Sequence, residues 1–344
     1  MNGWNIAGGL ACLWLTACSP QNELEAHFQT YLKRVAHVLE VTAPTLSPAA
    51  ALPPLPPQRT LQQAQPRIHS GLLDALKLRQ CRLLELVAEH NGPVGKSQTA
   101  ALQLLYHLQF QQGMRRCLTD TDDPALADWL RHIAAQKAPL LPGYHWNMMV
   151  SEPDIRAALS PRQRPLKFEQ QSGYQETIAA FELFAQLHDL AGNSQGDAPL
   201  TPRELNQALG GLYHNDYLGR LFYSLHSAAH YLGMSLAFLQ QLEGFDCRRG
   251  GKVQAERLRN AMQHYYIEGI QRYFSQIDRQ FVQLAPLLQH TLTPPPDRQE
   301  LMHEYREQVG LGLNSRLYRR YRTLTLEHAR LWQRFLRRCD ISPT

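Results

Sequence analysis

The chain has 344 residues, 44% of them hydrophobic and 19% charged, with a formal net charge of +5 at pH 7. That composition excludes a disordered polymer, a collagen-like chain and a polytopic membrane protein, and so mild a basic excess argues against a dedicated nucleic-acid coat. The length suits one large domain or two small ones.

Residues 1–17 hold no charged side chain and include the apolar stretch Ile6 to Ala17, too short to span a bilayer and of signal-peptide length. The stretch ends in Leu15-Thr16-Ala17-Cys18, which resembles the lipobox of Gram-negative lipoproteins, where the cysteine is acylated and the chain is cleaved just before it. The match departs in Met1-Asn2-Gly3-Trp4, which lacks the usual lysine or arginine. The resemblance implies a lipoprotein signal peptide over 1–17, palmitate-type acylation of Cys18, and a mature chain beginning there. Ser19, where Asp would signal retention, is similar to lipoproteins sent to the outer membrane, so the expected location is lipid-anchored on its periplasmic side. Each buried CH₂ of an acyl chain is worth about 0.8 kcal/mol, which makes several chains on one cysteine a stable anchor.

Residues 18–41 are read as the anchor and an N-terminal helix, because Leu24, Phe28, Tyr31, Val35 and Val38 recur at helical spacing. Residues 42–66 contain seven prolines and cannot be helix. They form an extended connector, either a spacer from the membrane or a strap laid over the body. The helical body spans 67–344. Helices are predicted at 70–90 and 97–118 as a hairpin around Gly92 to Gly95, with Ser97 as the second N-cap, then at about 124–136. Residues 139–173, broken by five prolines, read as irregular, with a short hairpin at Tyr144 to Val150. Helices resume at 174–191 and at Thr201-Pro202-Arg203-Glu204, an N-cap followed by a first-turn proline and acid. The latter kinks at Gly210-Gly211 and continues to Leu242. Further helices cover 252–285 and 297 to about 338, the last interrupted at Gly310 to Gly312. The fold expected is mostly α, a single irregular multi-helix domain with two disulfides.

After Cys18 come four cysteines, Cys81, Cys117, Cys247 and Cys339, a number that suits an oxidising compartment. Cys81–Cys117 and Cys247–Cys339 are the favoured pairs, since each lies within one helical region. If straight helices meet at a turn near Gly92 to Gly95, the residue opposite Cys81 is nearer His107, so pairing with Cys117 requires a bend or a different crossing. A zinc site is the alternative, and no C-x-x-C spacing supports it.

The run Arg67-Ile68-His69-Ser70-Gly71-Leu72-Leu73-Asp74-Ala75-Leu76, then Cys81, then Leu86-Val87-Ala88-Glu89-His90-Asn91, resembles an uncharacterised Gram-negative lipoprotein family, domain-of-unknown-function family 3080. Leu205-Asn206-Gln207-Ala208-Leu209-Gly210-Gly211-Leu212 and the close from Trp332 to Cys339 are similar to it too, so the resemblance covers the whole mature chain. It departs at His90 and Gly92. It implies a lipoprotein with paired cysteines and assigns no activity.

Motifs for chemistry are few. Gly92-Pro93-Val94-Gly95-Lys96-Ser97 imitates the end of a P-loop, but His90 occupies the position of the first glycine and a helix precedes it. His226 and His230, with His214, could face a metal, yet residues 221–242 carry no Asp, Glu, Lys or Arg and are apolar on two sides. Those histidines therefore read as hydrogen-bonded members of a central core helix. G-x-S-x-G, S-x-x-K and H-E-x-x-H are absent. No catalytic residue, metal or cofactor is assigned.

The sharpest surface feature lies between Arg316 and Arg338, which hold eight arginines and one acid, Glu327. Leu317, Tyr321, Leu324, Leu331 and Phe335 form the stripe to be buried. Arg316, Arg319, Arg320, Arg330, Arg334, Arg337 and Arg338 then fall within an arc of about 100° on the other side, along roughly 33 Å of helix. Guanidinium forks suit phosphate and carboxylate. The partners expected are the membrane through Cys18 and an anionic lipid, peptidoglycan acid or acidic protein through this ridge, with no nucleic acid. Three readings follow: an envelope interaction or scaffolding module, a carrier of lipid or hydrophobic ligand, or an enzyme with an unrecognised site.

Overall fold

A computed structural model describes residues 22–66, 78–193, 201–248 and 251–342. The signal segment and Cys18 lie outside them, as do 67–77 at the start of the predicted 70–90 helix. Among the described residues there is no strand.

Helix α1 (Glu23–Leu39) is capped by Asn22, whose side chain accepts from Glu25 N–H. Leu24, Phe28, Tyr31, Leu32 and Val35 are all wholly buried. At about 1.5–3 kcal/mol for each large apolar side chain removed from water, this face is too costly to expose, so α1 is built into the body and is not a detachable leader.

The Pro-rich connector 42–66, which includes the single turn α2 (Gln58–Leu61), is a strap across that body. Leu46, Ala49, Leu55 and Leu61 turn inward. An extended chain cannot satisfy its own carbonyls, so the body supplies donors. Tyr223 Oη donates to Ala49 O at 2.9 Å, His230 Nε2 to Ser47 O at 2.8 Å, Arg156 to Pro56 O at 2.9 Å and Trp146 Nε1 to Leu61 O at 2.7 Å.

Residues 78–82 form a turn, with Arg82 at φ 55°, before the helix α3 (Leu84–Asn91) and the single turn α4 (Pro93–Lys96). Helix α5 (Ala100–Asp120) is capped by Thr99, not Ser97, and the buried Glu152 carboxylate accepts from Ala101 N–H at 2.7 Å. Because Cys81 sits in the turn and not on a straight helix, it escapes the register that would face it to His107. It bonds Cys117 on α5, with Cα atoms 5.2 Å apart. With α6 (Pro124–Lys137) these elements enclose a satellite core of Leu78, Leu83, Phe110, Met114, Leu126 and Leu130.

The segment expected to be irregular contains two helices, α7 (Leu141–Ser151) and α8 (Pro153–Leu159). Pro142 and Pro153 stand in their first turns, where no amide donor is needed, so these prolines start helices that they seem to forbid. The supposed hairpin at Tyr144 to Val150 is helix, with Trp146, Met148, Met149 and Val150 buried.

Helices α9 (Tyr174–Gly192) and α10 (Pro202–Leu212) follow, the latter opened by a capping box between Thr201 and Glu204. The helix runs through Gly210-Gly211 but does not continue to Leu242. It ends at Leu212, His214 takes φ 53°, and α11 (Tyr217–Leu239) begins anew. Helix α12 (Gly251–Ala261) passes through a π-helical segment (Met262–Gln271) into α13 (Arg272–Thr291), which continues past Pro286. Gly310, at φ 87°, breaks the last region into α14 (Gln299–Val309) and α15 (Arg316–Arg338).

Helix α11 is the centre. Helix α15 covers it along its length, and α1, α9 and α13 close the sides. Cys247 in the segment after α11 bonds Cys339 at the end of α15, with Cα atoms 5.2 Å apart. Beneath α15, Trp332 Nε1 donates to Tyr31 Oη at 2.7 Å, and Tyr31 Oη lies 3.2 Å from His328 Nε2. The tyrosine proton therefore goes to Nε2, which leaves His328 protonated on Nδ1 and neutral. Burial pushes His328 down to about 3, and His145 likewise.

Two expectations follow. The Cys247–Cys339 loop spans 92 residues and should contribute about 4.5 kcal/mol on the chain-entropy model. Replacing both cysteines by serine should lower the thermal midpoint by many degrees, read by circular dichroism; an unchanged midpoint would refute the cross-link's role. The buried neutral histidines act through pH. Below about 6.5 the unfolded chain takes protons that the folded chain refuses, so stability is full above that pH and falls as pH drops toward 3, by about 1.4 kcal/mol per pH unit per histidine. In urea titrations between pH 6 and 5, His328→Gln should make this loss shallower by about one such increment. A slope equal to the parent's would mean that His328 is not held neutral.

Candidate functional site

Helix α15 is capped by Ser315, whose hydroxyl accepts from Tyr318 N–H. Leu317, Tyr321, Leu331, Trp332 and Phe335 turn inward, while Leu324 is half-buried. Arg316, Arg319, Arg320, Arg330, Arg334, Arg337 and Arg338 are all exposed, as is Arg322. Some have partners on neighbouring elements: Arg319 reaches Glu307 at 3.9 Å, Arg322 reaches Asp278 at 3.2 Å, and Arg334 reaches Glu243 at 3.7 Å. Pairs so exposed are worth 0–1 kcal/mol. Arg338 donates to Leu242 O and lies over the Phe335 ring. Arg316, Arg320, Arg330 and Arg337 have no carboxylate in ion-pair range among the described residues. Their guanidinium groups stand free on one helix.

Other sequence candidates have structural employment. Cys18 lies outside the described residues. His230 holds the strap at Ser47, and half-buried His226 faces the strap at Ala50. Burial lowers the His226 pKa, with the Ala50 carbonyl opposing and Arg320 and His230 adding. The P-loop imitation is the short turn between α3 and α5, where a Cβ on Gly95 would come within 2.0 Å of His90 O. The glycine is there to let two backbones touch, not to cradle a phosphate.

Sequence reasoning missed a cavity of about 800 Å³ between the satellite and main cores. Helices α3, α5, α6 and α7 supply its walls. Tyr106 and His107 are consecutive on α5, so they splay to two sides. His90 stacks on Tyr106 with centroids 3.6 Å apart, and Tyr144 stacks on His107 at 3.9 Å. Lys137, the last residue of α6, holds its ammonium 5.1 Å from the Phe110 ring centre. Gln63, Gln103 and Asn147 add amides, and no Asp or Glu is among the described lining residues.

Burial dominates the electrostatics here. It pushes Tyr106 up to about 12 and raises Tyr144. It pushes His107 down to about 3, with Lys137 and His90 adding, and lowers Lys137 itself. Desolvated groups of this kind mark many functional clefts. A cation beside neutral donors, without a carboxylate or a nucleophile–base pair, is equipped to hold an anion more than to move a proton. The only sequence hint was that Lys137 has no acid three or four residues away on either side.

A second cavity, of about 760 Å³, lies under Pro294 to Pro296. On its wall His145 Nε2 donates to Phe184 O, which leaves His145 Nδ1 to accept from His188 Nδ1 at 3.4 Å. His290, stacked edge-on to His188, bonds Asp189 at 2.7 Å. Among the described residues no group of three or more His, Cys, Asp or Glu is arranged to hold a metal.

No curated protein and no solved structure matches the chain. A family model described as Protein of unknown function (DUF3080) matches residues 28–343, from the first turns of α1 to beyond the Cys247–Cys339 disulfide, and the chain belongs to that family.

Proposed function

We propose that this protein is a lipid-anchored interaction module of the Gram-negative envelope, acylated at Cys18 on the periplasmic side of the outer membrane, which lays the arginine face of α15 on an anionic lipid surface. The observation that carries the reading is the set of exposed arginines on one helix, four of them without an acid partner among the described residues.

The N-terminus supports it. Asn22 caps α1 and donates to Tyr231 Oη at 3.4 Å. An anchor at Cys18 has only four residues, at most about 14 Å of chain, before that fixed point. The body would be held against the membrane and not on a stalk. Tyr31 of the same helix touches Trp332 of α15, so the arginine helix stays within reach of that surface. Each arginine near an anionic leaflet is worth about 1 kcal/mol, and the sum is salt-dependent.

Flotation of the non-acylated mature protein with phosphatidylglycerol vesicles tests the docking face. The parent should float with these vesicles, not with phosphatidylcholine ones, and salt should release it. Arg316→Gln, Arg320→Gln, Arg330→Gln and Arg337→Gln combined should weaken binding at least tenfold, while stability stays near the parent's because exposed sites are changed. Undiminished binding by the combined variant would overturn the docking face. For the anchor, Cys18→Ser should abolish palmitate incorporation and free the chain from the membrane fraction; retained labelling would refute acylation at Cys18.

A further inference from the structure

We propose that the cavity between the two cores binds a small amphiphile with a single carboxylate head, the head meeting Lys137 and the Tyr106 and Tyr144 hydroxyls, the apolar body lying along Phe110, Trp129 and Ile133. This site shares no residue with the arginine face and stands or falls separately from it.

The first argument is charge. Among the described lining residues Lys137 is the only formal charge, and it has no carboxylate partner among the described residues. Its described contact is the face of Phe110, which satisfies a cation only in part. The second is hydrogen bonding. The Tyr106 and Tyr144 hydroxyls and the His107 ring nitrogens have no hydrogen-bond partner among the described residues, although each side chain is at least half withdrawn from water. None of these atoms is sealed in the core; each belongs to a residue of the cavity wall and is open to a ligand or to water there. Three kinds of donor round one space, with no acid among the described lining residues, point to an acceptor that carries negative charge.

The donor set selects the head. One ammonium and neutral hydroxyls match a singly charged carboxylate. A phosphate monoester, with close to two charges, calls for arginine forks or a second cation, and His107 is neutral at physiological pH. The rest of the wall selects the body: Phe110, Trp129, Ile133 and Leu140 give the lining apolar surface. About 800 Å³ lies within the range of small-molecule sites. The His90–Tyr106 and His107–Tyr144 stacks fix the rings that carry the donors, so little ordering remains for a ligand to impose.

The test uses the whole mature protein and cis-parinaric acid, a fluorescent fatty acid, with its neutral methyl ester alongside. The acid should bind at one equivalent and the ester at least tenfold more weakly. Lys137→Met should weaken the acid by about tenfold or more, the loss expected of a charge-assisted hydrogen bond, and leave the ester nearly unchanged. Tyr144→Phe should weaken the acid by a smaller factor. The fourfold arginine variant should bind like the parent, which separates this site from the docking face. Thermal unfolding of Lys137→Met at the parent's midpoint shows that folding is intact; should it fall, Tyr144→Phe carries the same comparison. Equal binding of acid and ester, an acid affinity indifferent to both substitutions, or no saturable binding would each overturn the proposal. Preference for lysophosphatidic acid over the fatty acid would overturn the carboxylate head.

Discussion

From Leu221 to Leu242 the chain carries no Asp, Glu, Lys or Arg, and of the residues of α11 only Ala237 is exposed. A helix without a polar side cannot lie on a surface; it must be covered all round. Helix α15 covers one side, α1, α8, α9 and α13 cover others, and part of the surface remains. The Pro-rich strap lies over it. That explains why an extended segment, poor in self-pairing, is held so firmly. Tyr223 and His230 of α11 donate to its carbonyls, so two of the polar side chains that α11 carries attach its cover.

The far side of the strap is the segment 160–166. Arg162 N–H donates to Gly219 O at 3.1 Å, Leu166 N–H donates to Ser224 Oγ at 2.8 Å, and Arg220 donates to Pro165 O at 2.8 Å. A Cβ at Gly219 would stand 2.2 Å from Ser160 O, so only glycine permits the approach. Two irregular segments thus lie on one helix, each tied by side chains that a helix surface would ordinarily turn to water. The arginine face is the complement of this arrangement. With Leu317, Tyr321, Leu331 and Phe335 committed to the core, the opposite side of α15 is the only place its arginines can go.

Helix α11, the two disulfides and the exposed arginines were legible because each is written in a single stretch or in residue type alone. The segment 139–173 was not. Prolines in sequence read as breaks, yet Pro142 and Pro153 stand in first turns, where proline fits as well as serine fits a cap. The Cys81 register failed for a related reason: a turn at 78–82, with Arg82 in the left-handed region, replaces the straight helix that periodicity suggests. The cavity was invisible for a different one. His90, Tyr106, Lys137 and Tyr144 come from four helices, and no spacing in sequence joins them.

What joins them is α5. Ala101, Leu104, Leu105 and Leu108 of that helix belong to the main core, and Tyr106, Phe110, Met114 and Cys117 belong to the satellite. A cluster as small as the satellite buries too little to hold itself together. The Cys81–Cys117 bond, closing 36 residues, is therefore placed where hydrophobic burial is weakest. Lys137 and Tyr144 are connected by the 3₁₀ turn Ala138–Leu140, stiffened by Pro139, so the ammonium and the phenol keep their separation without a loop between them. The cavity is consequently framed by α3, α5, α6 and α7, with the disulfide tying the 78–82 turn to α5 and the 3₁₀ turn joining α6 to α7. Those ties hold in place the walls that carry Tyr106, Lys137 and Tyr144.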